Sequence, residues 1–392
     1  MTIYAELTFW TCLLFIAYTY LFYPLVLFQV YTVFQIWRDV RYLSRRRSTR
    51  ARELTEEQLP GVSLIIPAYN EEAALPLRIR NLNAIDYPPE KLEVVFVSDG
   101  STDSTHSILS GLHGLDHQVI VLPGRGGKSN AMNHGVKRSR FEILLFSDAA
   151  TLFEGDTIRK IVRHFCDPRV GAVCGTLQFE ANGVSRQTEG VYWKYESMLR
   201  LMESRLGVTL TASGALYAVR RECFHPLDPE TMIEDFVVPM NCRKAGYQVV
   251  YDPEAIATDV SASTVKGEFT RRVRLAVGSF RAFRELSRVP LDSLTCIAFF
   301  SHKILRWFLP FFLLGLIASN LLLLGQEPYT FALACQAAFY FAALMGLTFQ
   351  GKNPFAKVAT LCYYLLAIHL AYAVGLIRML SGKDQGVWQK SQ

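Results

Sequence analysis

Hydrophobic positions follow two different rules along this chain. Near the ends they run on with little interruption, and in the middle they come in short bursts separated by polar, helix-spaced stretches. From Leu7 to Trp37 the sequence is almost continuously apolar, with one Pro24 inside. A bilayer takes about 20 apolar residues to cross, so this run predicts an anchor, with enough length for a second pass or an interfacial portion. Further runs at 304–324, 329–349 and 357–380 predict three more spans. A cleaved signal peptide has a basic start and a short apolar region. Residues 1–6 hold no base and the run is too long, so a retained anchor is expected.

Between these runs, residues 60–260 alternate in another way. Short β-branched bursts at 62–67, 92–97, 118–122 and 142–146 end in turn residues. Helical spacing fills 71–84, 101–112 and 128–138. Strands alternating with helices predict a parallel α/β sheet with helices on both faces. In such sheets ligands sit beyond the carboxyl ends of the strands. That geometry gathers Asn70, Glu71, Asp99 and Asp148 on one rim.

Composition narrows the class. Of 392 residues, 51% are hydrophobic and 19% charged, with a net charge of +6 and mean hydropathy +0.18. Soluble domains carry about 25% charge, so a purely soluble protein is excluded, and so is a disordered one. Basic residues cluster beside apolar stretches, which points to lipid and away from nucleic acid. Residues 38–52 hold seven Arg and one Asp. The positive-inside rule puts that flank, and the globular body after it, on the cytoplasmic side of a cell membrane. The joint Gly325-Gln-Glu-Pro328 has no base and reads as external, whereas 350–357 carries Lys352 and Lys357 and reads as internal. Arg378, Lys383 and Lys390 in the tail pull mildly against the external terminus that four spans imply. Eight scattered Cys include no C-x-x-C, so neither a disulfide framework nor a zinc site is expected.

The expected organisation is a transmembrane helix at 1–37, a basic linker at 38–59, a catalytic domain at 60–265, amphipathic interface helices at 266–303, about three transmembrane helices at 304–380 and a tail at 381–392. In the interface segment Phe269, Val273, Val277, Phe280 and Phe283 recur at helical spacing, opposite Arg271, Arg274, Arg281, Arg284 and Arg288. Such a helix lies on a membrane surface or forms an ordinary face of the soluble domain. Its place just before the spans favours the membrane.

Several residues on the rim carry possible chemistry. Asp99, in Val97-Ser-Asp-Gly-Ser-Thr-Asp103, suits a base or ribose hydroxyl, while Ser101 or Asp103 suits the cap of the next helix. Gly124-Arg-Gly-Gly-Lys-Ser129 lacks the first Gly of a P-loop, because Leu122 stands there. A Gly-rich turn ending in Lys128 at a helix start still suits a diphosphate. Asp148 suits a divalent cation that bridges phosphates. Glu234 and Asp235 at a helix start serve either the macrodipole or general-base chemistry. Neither H-E-x-x-H nor G-x-S-x-G occurs.

Taken in order, these pieces resemble the family 2 glycosyltransferases. The resemblance rests on Pro67-Ala-Tyr-Asn-Glu-Glu72, Ser98-Asp-Gly-Ser-Thr-Asp103, Gly127-Lys-Ser-Asn-Ala-Met-Asn-His-Gly135 and Asp148-Ala-Ala150 at the place of D-x-D. It continues through Thr211-Ala-Ser-Gly-Ala-Leu-Tyr-Ala-Val-Arg-Arg221, Glu234-Asp235 and Arg271-Arg-Val-Arg-Leu275 at the place of Q-x-x-R-W. What it implies is a GT-A fold, a Rossmann-like mixed sheet with helices on both faces, and inverting transfer from a nucleotide-diphosphate sugar, with UDP the family expectation. By the same resemblance Ala68, Asn70, Glu71 and Asp99 line the nucleotide site, with Lys128 close by. Asp148 binds phosphate through Mg²⁺ or Mn²⁺, Ser213, Gly214 and Glu234 meet the acceptor, Asp235 is the base, and Arg274 neutralises the leaving pyrophosphate. Two departures stand out. The second Asp of D-x-D is Ala150, and the Trp of Q-x-x-R-W is Leu275.

The leading expectation is therefore a membrane glycosyltransferase that adds a sugar to a lipid-linked or glycan acceptor through a β-bond. The alternative is a processive polysaccharide synthase, against which Leu275 counts. A non-catalytic scaffold of the same fold rests on Ala150 alone.

Overall fold

A computed structural model describes residues 2–45, 54–112, 116–179, 184–259, 265–286, 292–348 and 353–382. Most of the basic linker, Arg288, Lys352 and the tail bases Lys383 and Lys390 lie outside the described residues.

The catalytic domain is built on one eight-stranded sheet of order β3-β2-β1-β4-β7-β6-β8-β5. The strands are β1 (Val62–Ala68), β2 (Leu92–Asp99), β3 (His117–Leu122), β4 (Ile143–Phe146), β5 (Thr151–Phe153), β6 (Val170–Phe179), β7 (Tyr217–Arg220) and β8 (Gln248–Asp259). The first four run parallel, as the βα rhythm predicts. After Asp148 the rhythm stops: β7 lies antiparallel to β4 and β6, β5 lies antiparallel to β8, and β6 and β8 pair in parallel. The sheet is therefore mixed, as the resemblance implies.

The central strands β1, β2 and β4 are buried at every position and mostly apolar, because both faces are covered. Leu64, Ile66, Val94, Phe96 and Leu145 fill one core. Their neighbours Ile65, Val95, Val97, Leu144 and Phe146 point the other way into a second. Successive side chains alternate between faces, so one short burst serves both layers.

The chain opens with α1 (Thr2–Ala17), a π-helical turn at Tyr18–Phe22 and α2 (Tyr23–Arg45). These form one continuous helix, which removes the two-pass option for this segment. The domain adds α3 (Leu75–Asn83), α4 (Thr105–Ser110), α5 (Lys128–Arg138), α6 (Thr157–Val162), α7 (Val184–Arg205), α8 (Glu234–Lys244) and α9 (Val265–Leu286). The C-terminal helices are α10 (Ser293–Ala298), which runs through a π-helical turn at Phe299–Ile304 into α11 (Leu305–Leu322), then α12 (Tyr329–Thr348) and α13 (Pro354–Leu380). Four helices are long and apolar enough to cross a membrane: Thr2–Arg41, Ser293–Leu322, Tyr329–Thr348 and Pro354–Leu380. The second of these starts at Ser293, earlier than its hydropathy suggests, because α10 and the π turn continue into α11 without a break.

Where the sequence expects the apolar face of α9 to meet lipid, protein covers most of it. Val273, Val277 and Phe280 are buried. The Phe280 ring meets Trp307, Phe308 and Tyr372 at 6.0, 5.7 and 6.4 Å, and Phe283 meets Phe299 and Trp307. Two glycines permit this wedge. A Cβ on Gly375 of α13 would lie 2.6 Å from that of Ala276, and one on Gly278 would lie 3.0 Å from Met232. Packing against α11 and α13 buries the same apolar stripe that lipid would have covered, with tighter fit.

Beside this wedge lies a second buried contact. On α7, Glu196 pairs with Arg306 and stands 3.2 Å from His302 Nε2 and 3.8 Å from Lys303. Seven residues along α7, Glu203 receives Tyr23 Oη at 2.8 Å and lies 2.6 Å from His302 Nδ1. The helices of the catalytic domain and those of the membrane part are thus joined by ionic hydrogen bonds.

Candidate active site

The rim beyond β1, β2 and β4 is assembled by short loops that bind one another. After Ala68, Asn70 adopts φ 54°, a left-handed conformation that Asn tolerates better than most residues. Its Oδ1 accepts from Thr102 N at 2.8 Å, and its own N donates to Ser101 Oγ at 3.2 Å. Glu71 N donates to Thr105 Oγ1 at 2.7 Å. Asp103 Oδ1 accepts from Thr105 N and Oδ2 from Glu72 N. The N-cap position of α4 is Ser104, so neither Ser101 nor Asp103 is its cap residue; Ser101 holds the Asn70 loop, and Asp103 holds Glu72 N and Thr105 N. Glu71 is buried beneath these contacts.

Asp99, at the end of β2 and 2% exposed, has its carboxylate aimed at the Gly-rich turn. Its Oδ1 and Oδ2 accept from Gly126 N and Gly127 N, each at 2.8 Å. The turn needs glycine at two points: Gly127 has φ 89°, and a Cβ on Gly100 would lie 2.7 Å from the backbone of Gly124 and Arg125. Arg125, in the middle of the turn, stacks over the Tyr69 ring at 3.9 Å. The sequence reading gave neither Tyr69 nor Arg125 a role. Position 125 inside the glycines was the available signal.

Lys128 is the first residue of α5 and the hub of the site. Its Nζ lies 2.6 Å from Asp148 Oδ1, 2.6 Å from Glu234 Oε1 and 3.3 Å from the Gly214 carbonyl it donates to. Burial alone would depress the Lys128 pKa, but the charges and hydrogen bonds of Asp148 and Glu234 outweigh it and hold the ammonium above its usual value. One cation thus joins the strand-end carboxylate, the Gly214 backbone and the start of α8. A Cβ on Gly214 would sit 3.4 Å from Lys128 Nζ, 3.5 Å from Glu234 Oε1 and 3.7 Å from Asp235 Cβ. Ser213 is buried beside it.

Asp235 is placed by both sides of that loop. Its carbonyl accepts from Ala212 N at 2.7 Å. The approach to α8 is pinned to α5 by Ser129 Oγ to the Thr231 carbonyl at 2.8 Å and by Asn133 on Leu227 N and O at 2.9 and 2.7 Å. Burial first, and the charge of Glu234 second, push the Asp235 carboxyl up from 3.8 to about 6, against the pull of Lys128, Arg200 and Lys303. A carboxylate poised near neutrality suits a general base. Glu234, assigned to the acceptor by the resemblance, is 6% exposed with its carboxylate on Lys128. Arg274 on α9 is pushed down by burial and held up by the charges of Glu234 and Asp148, with Arg271 and Arg125 nearby in opposition. Lys128 and Arg274 thus both face the carboxylates of Asp148 and Glu234.

Ala68, Asn70, Glu71, Asp99, Lys128, Asp148, Ser213, Gly214, Glu234, Asp235 and Arg274 are thus gathered from seven chain segments onto one end of the sheet. For a metal, Asp148 offers a half-exposed oxygen donor with 46% side-chain exposure, a hard ligand of the type Mg²⁺ and Mn²⁺ take. Ala150 offers none, and the described residues hold no group of three or more His, Cys, Asp or Glu suited to an ion. One protein oxygen fits an ion whose other ligands are phosphate and water oxygens.

A curled mixed sheet flanked by helices is the architecture of the GT-A class. Over 92% of this chain and 99% of the other, the fold superimposes on the mannosyltransferase PcManGT from Pyrobaculum calidifontis in complex with GDP-Man and Mn²⁺, with TM-score 0.68 and 23% identity. Residues 63–226 match the Glycosyl transferase family 2 model, and the chain carries a family 2 glycosyltransferase domain. It is also similar to the poly-β-1,6-N-acetyl-D-glucosamine synthases of Staphylococcus aureus (strain COL), 25% identical over 270 residues, and Staphylococcus epidermidis, 24% over 269. Each alignment covers 66% of this chain and 64% of the relative.

Proposed function

We propose that the protein is a membrane-embedded, inverting glycosyltransferase. It moves a sugar from a nucleotide-diphosphate donor to a glycan or lipid-linked acceptor at the cytoplasmic face. The observation that carries this reading is Asp235. A carboxyl near pKa 6 sits at a helix start beside a lysine that bridges Glu234 and Asp148. In the reaction an acceptor hydroxyl attacks the anomeric carbon, its proton passes to Asp235, and the bond to the diphosphate breaks with its electron pair leaving on phosphate. One base on one face means a single displacement, so an α-linked donor yields a β-product.

Lys128 and Arg274 offset the charge on the leaving diphosphate, the kind of preorganised stabilisation that lowers such barriers. A divalent ion held at Asp148, when bound, adds to that neutralisation; the similar mannosyltransferase structure, with Mn²⁺, supports this. The nucleotide is UDP or GDP. The family expectation favours the first, and that neighbour, with GDP-Man, keeps the second in play. Ala68, Asn70, Glu71 and Asp99 form the nucleotide side, and Ser213 and Gly214 the acceptor side.

A second reading, processive polysaccharide synthesis, is supported by the similar synthases of Staphylococcus. The test is the purified full-length chain in lipid, given UDP- and GDP-sugars singly, with product mass read out. One added hexose per acceptor supports the first reading and a ladder of lengths the second. Donor loss that is unchanged in Asp235→Asn would overturn both.

A further inference from the structure

Beneath the rim lies a charge that the proposed reaction does not use. Arg78 of α3 is 0% exposed, yet its guanidinium hydrogen-bonds to an amide and a hydroxyl. Its Nη1 donates to Asn81 Oδ1 at 3.0 Å and its Nη2 to Ser147 Oγ at 2.9 Å. Its guanidinium lies 4.3 Å over the Phe153 ring, and its buried Nε has no hydrogen-bond partner among the described residues. Burial pushes the guanidinium down to about 9, and the one charge that opposes this is Asp148. A guanidinium sealed in an apolar layer with neutral partners is costly, and a Met or Leu would fill that layer without the cost.

The geometry around Arg78 has one consistent outcome. Asn81 grips Phe153 by backbone N and O, each at 2.8 Å. Ser147 Oγ in turn donates to the Asp148 carbonyl at 3.2 Å, and Ser147 N donates to Ile65 O at 3.2 Å. Arg78 and Asn81 thus tie down both ends of the segment from Ser147 to Phe153. Inside it Ala149 is buried, while the Asp148 side chain projects with 46% exposure.

We propose that Arg78 is a positioning residue for Asp148. By strapping the turn between β4 and β5 through Ser147 and, with Asn81, Phe153, Arg78 holds the one carboxylate in place on the rim, where Ala150 supplies no second ligand. The proposal rests on Asp148 being the metal-binding carboxylate.

The test is Mn²⁺ affinity, read from the free-ion EPR signal of the full chain in detergent with saturating UDP or GDP. Asp148→Asn checks the underlying assignment. If it leaves Mn²⁺ affinity unchanged, that assignment fails and the proposal falls with it. If Asp148→Asn does weaken Mn²⁺, Arg78→Met is expected to weaken it as well, by about 10-fold or more, the scale on which outer-shell partners act. Arg78→Lys keeps the charge without the fork and should fall between Arg78→Met and the wild type. Ser147→Ala cuts one strand of the strap at little risk to the fold and should give a smaller loss in the same direction, which keeps the test open if Arg78→Met does not fold. Folded Arg78→Met and Ser147→Ala proteins that bind Mn²⁺ as tightly as wild type, with only the melting temperature lowered, would make Arg78 a packing residue and overturn the proposal.

Discussion

Two clusters of buried charge in this chain are built on opposite plans. Around Lys128 the charges come from loops and helix starts at the strand ends, and one member, Asp148, keeps nearly half its side chain exposed. Around Glu196 they come from the middles of long helices, and the paired side chains of Glu196, Glu203, His302 and Arg306 are at most 5% exposed. Burial alone would raise the Glu196 carboxyl, yet Arg306 first, then Lys303 and His302, hold it well below its ordinary value. Asp235 in the first cluster moves the other way, up to about 6. A sealed, fully paired cluster locks helices together. A cluster open on one side, with one carboxyl left near neutrality, can exchange partners with a substrate.

Breaking each cluster should therefore damage different things. Asp235→Asn is expected to lower turnover about 10²–10⁴-fold while nucleoside-diphosphate affinity, measured by calorimetry, stays near wild type. Turnover close to wild type would end its assignment as the base. Glu196→Ala should act on stability. Removing one partner of a buried pair costs about 3–5 kcal/mol, visible as a lower melting temperature in detergent, whereas Asp148→Ala should leave melting nearly unchanged. Equal melting losses from both would erase the distinction between the clusters.

Phe280→Ala tests the wedge of α9 and should cost about 3–5 kcal/mol, as deletion of a buried aromatic does. A lipid-facing side chain would show far less.

The smallest effect is on pH dependence. The folded-state value of Asp235 lies above its unfolded value of 3.8, so the folded protein holds that proton more tightly. The stability that this proton supplies is complete below about pH 3.8 and is lost as pH rises to about 6, so Asp235→Asn should melt higher than wild type at pH 8 and not at about pH 3.5. For activity the sign reverses. The base must be charged, so kcat/KM should fall about tenfold per unit below pH 6, a limb absent from any residual activity of Asp235→Asn.

Much of this was legible in the chain. The four parallel strands, the start of α5 at Lys128, the start of α8 at Glu234 and four helices long and apolar enough to cross a membrane all follow from local pattern. So does the gathering of Asp99, Lys128 and Asp148 on one rim, because carboxyl ends of parallel strands share an edge. Local spacing did not show that Glu234 would be bound to Lys128, because they lie 106 positions apart in the sequence and the contact depends on how the 227–231 approach is pinned to α5.

What the sequence by itself determined is periodicity, which sets element type, and the residue chemistry at each strand end. Only the tertiary structure decided which surface covers an apolar stripe and which charge answers another. The stripe of α9 looks the same whether lipid or Trp307 and Tyr372 close it. Arg78 reads as one more basic residue on a helix until folding lays it under Ser147 and Phe153. Hydrophobic burial is non-directional and reports only that a face is hidden. The partners of a buried charge are set by three-dimensional position, which one-dimensional spacing does not encode.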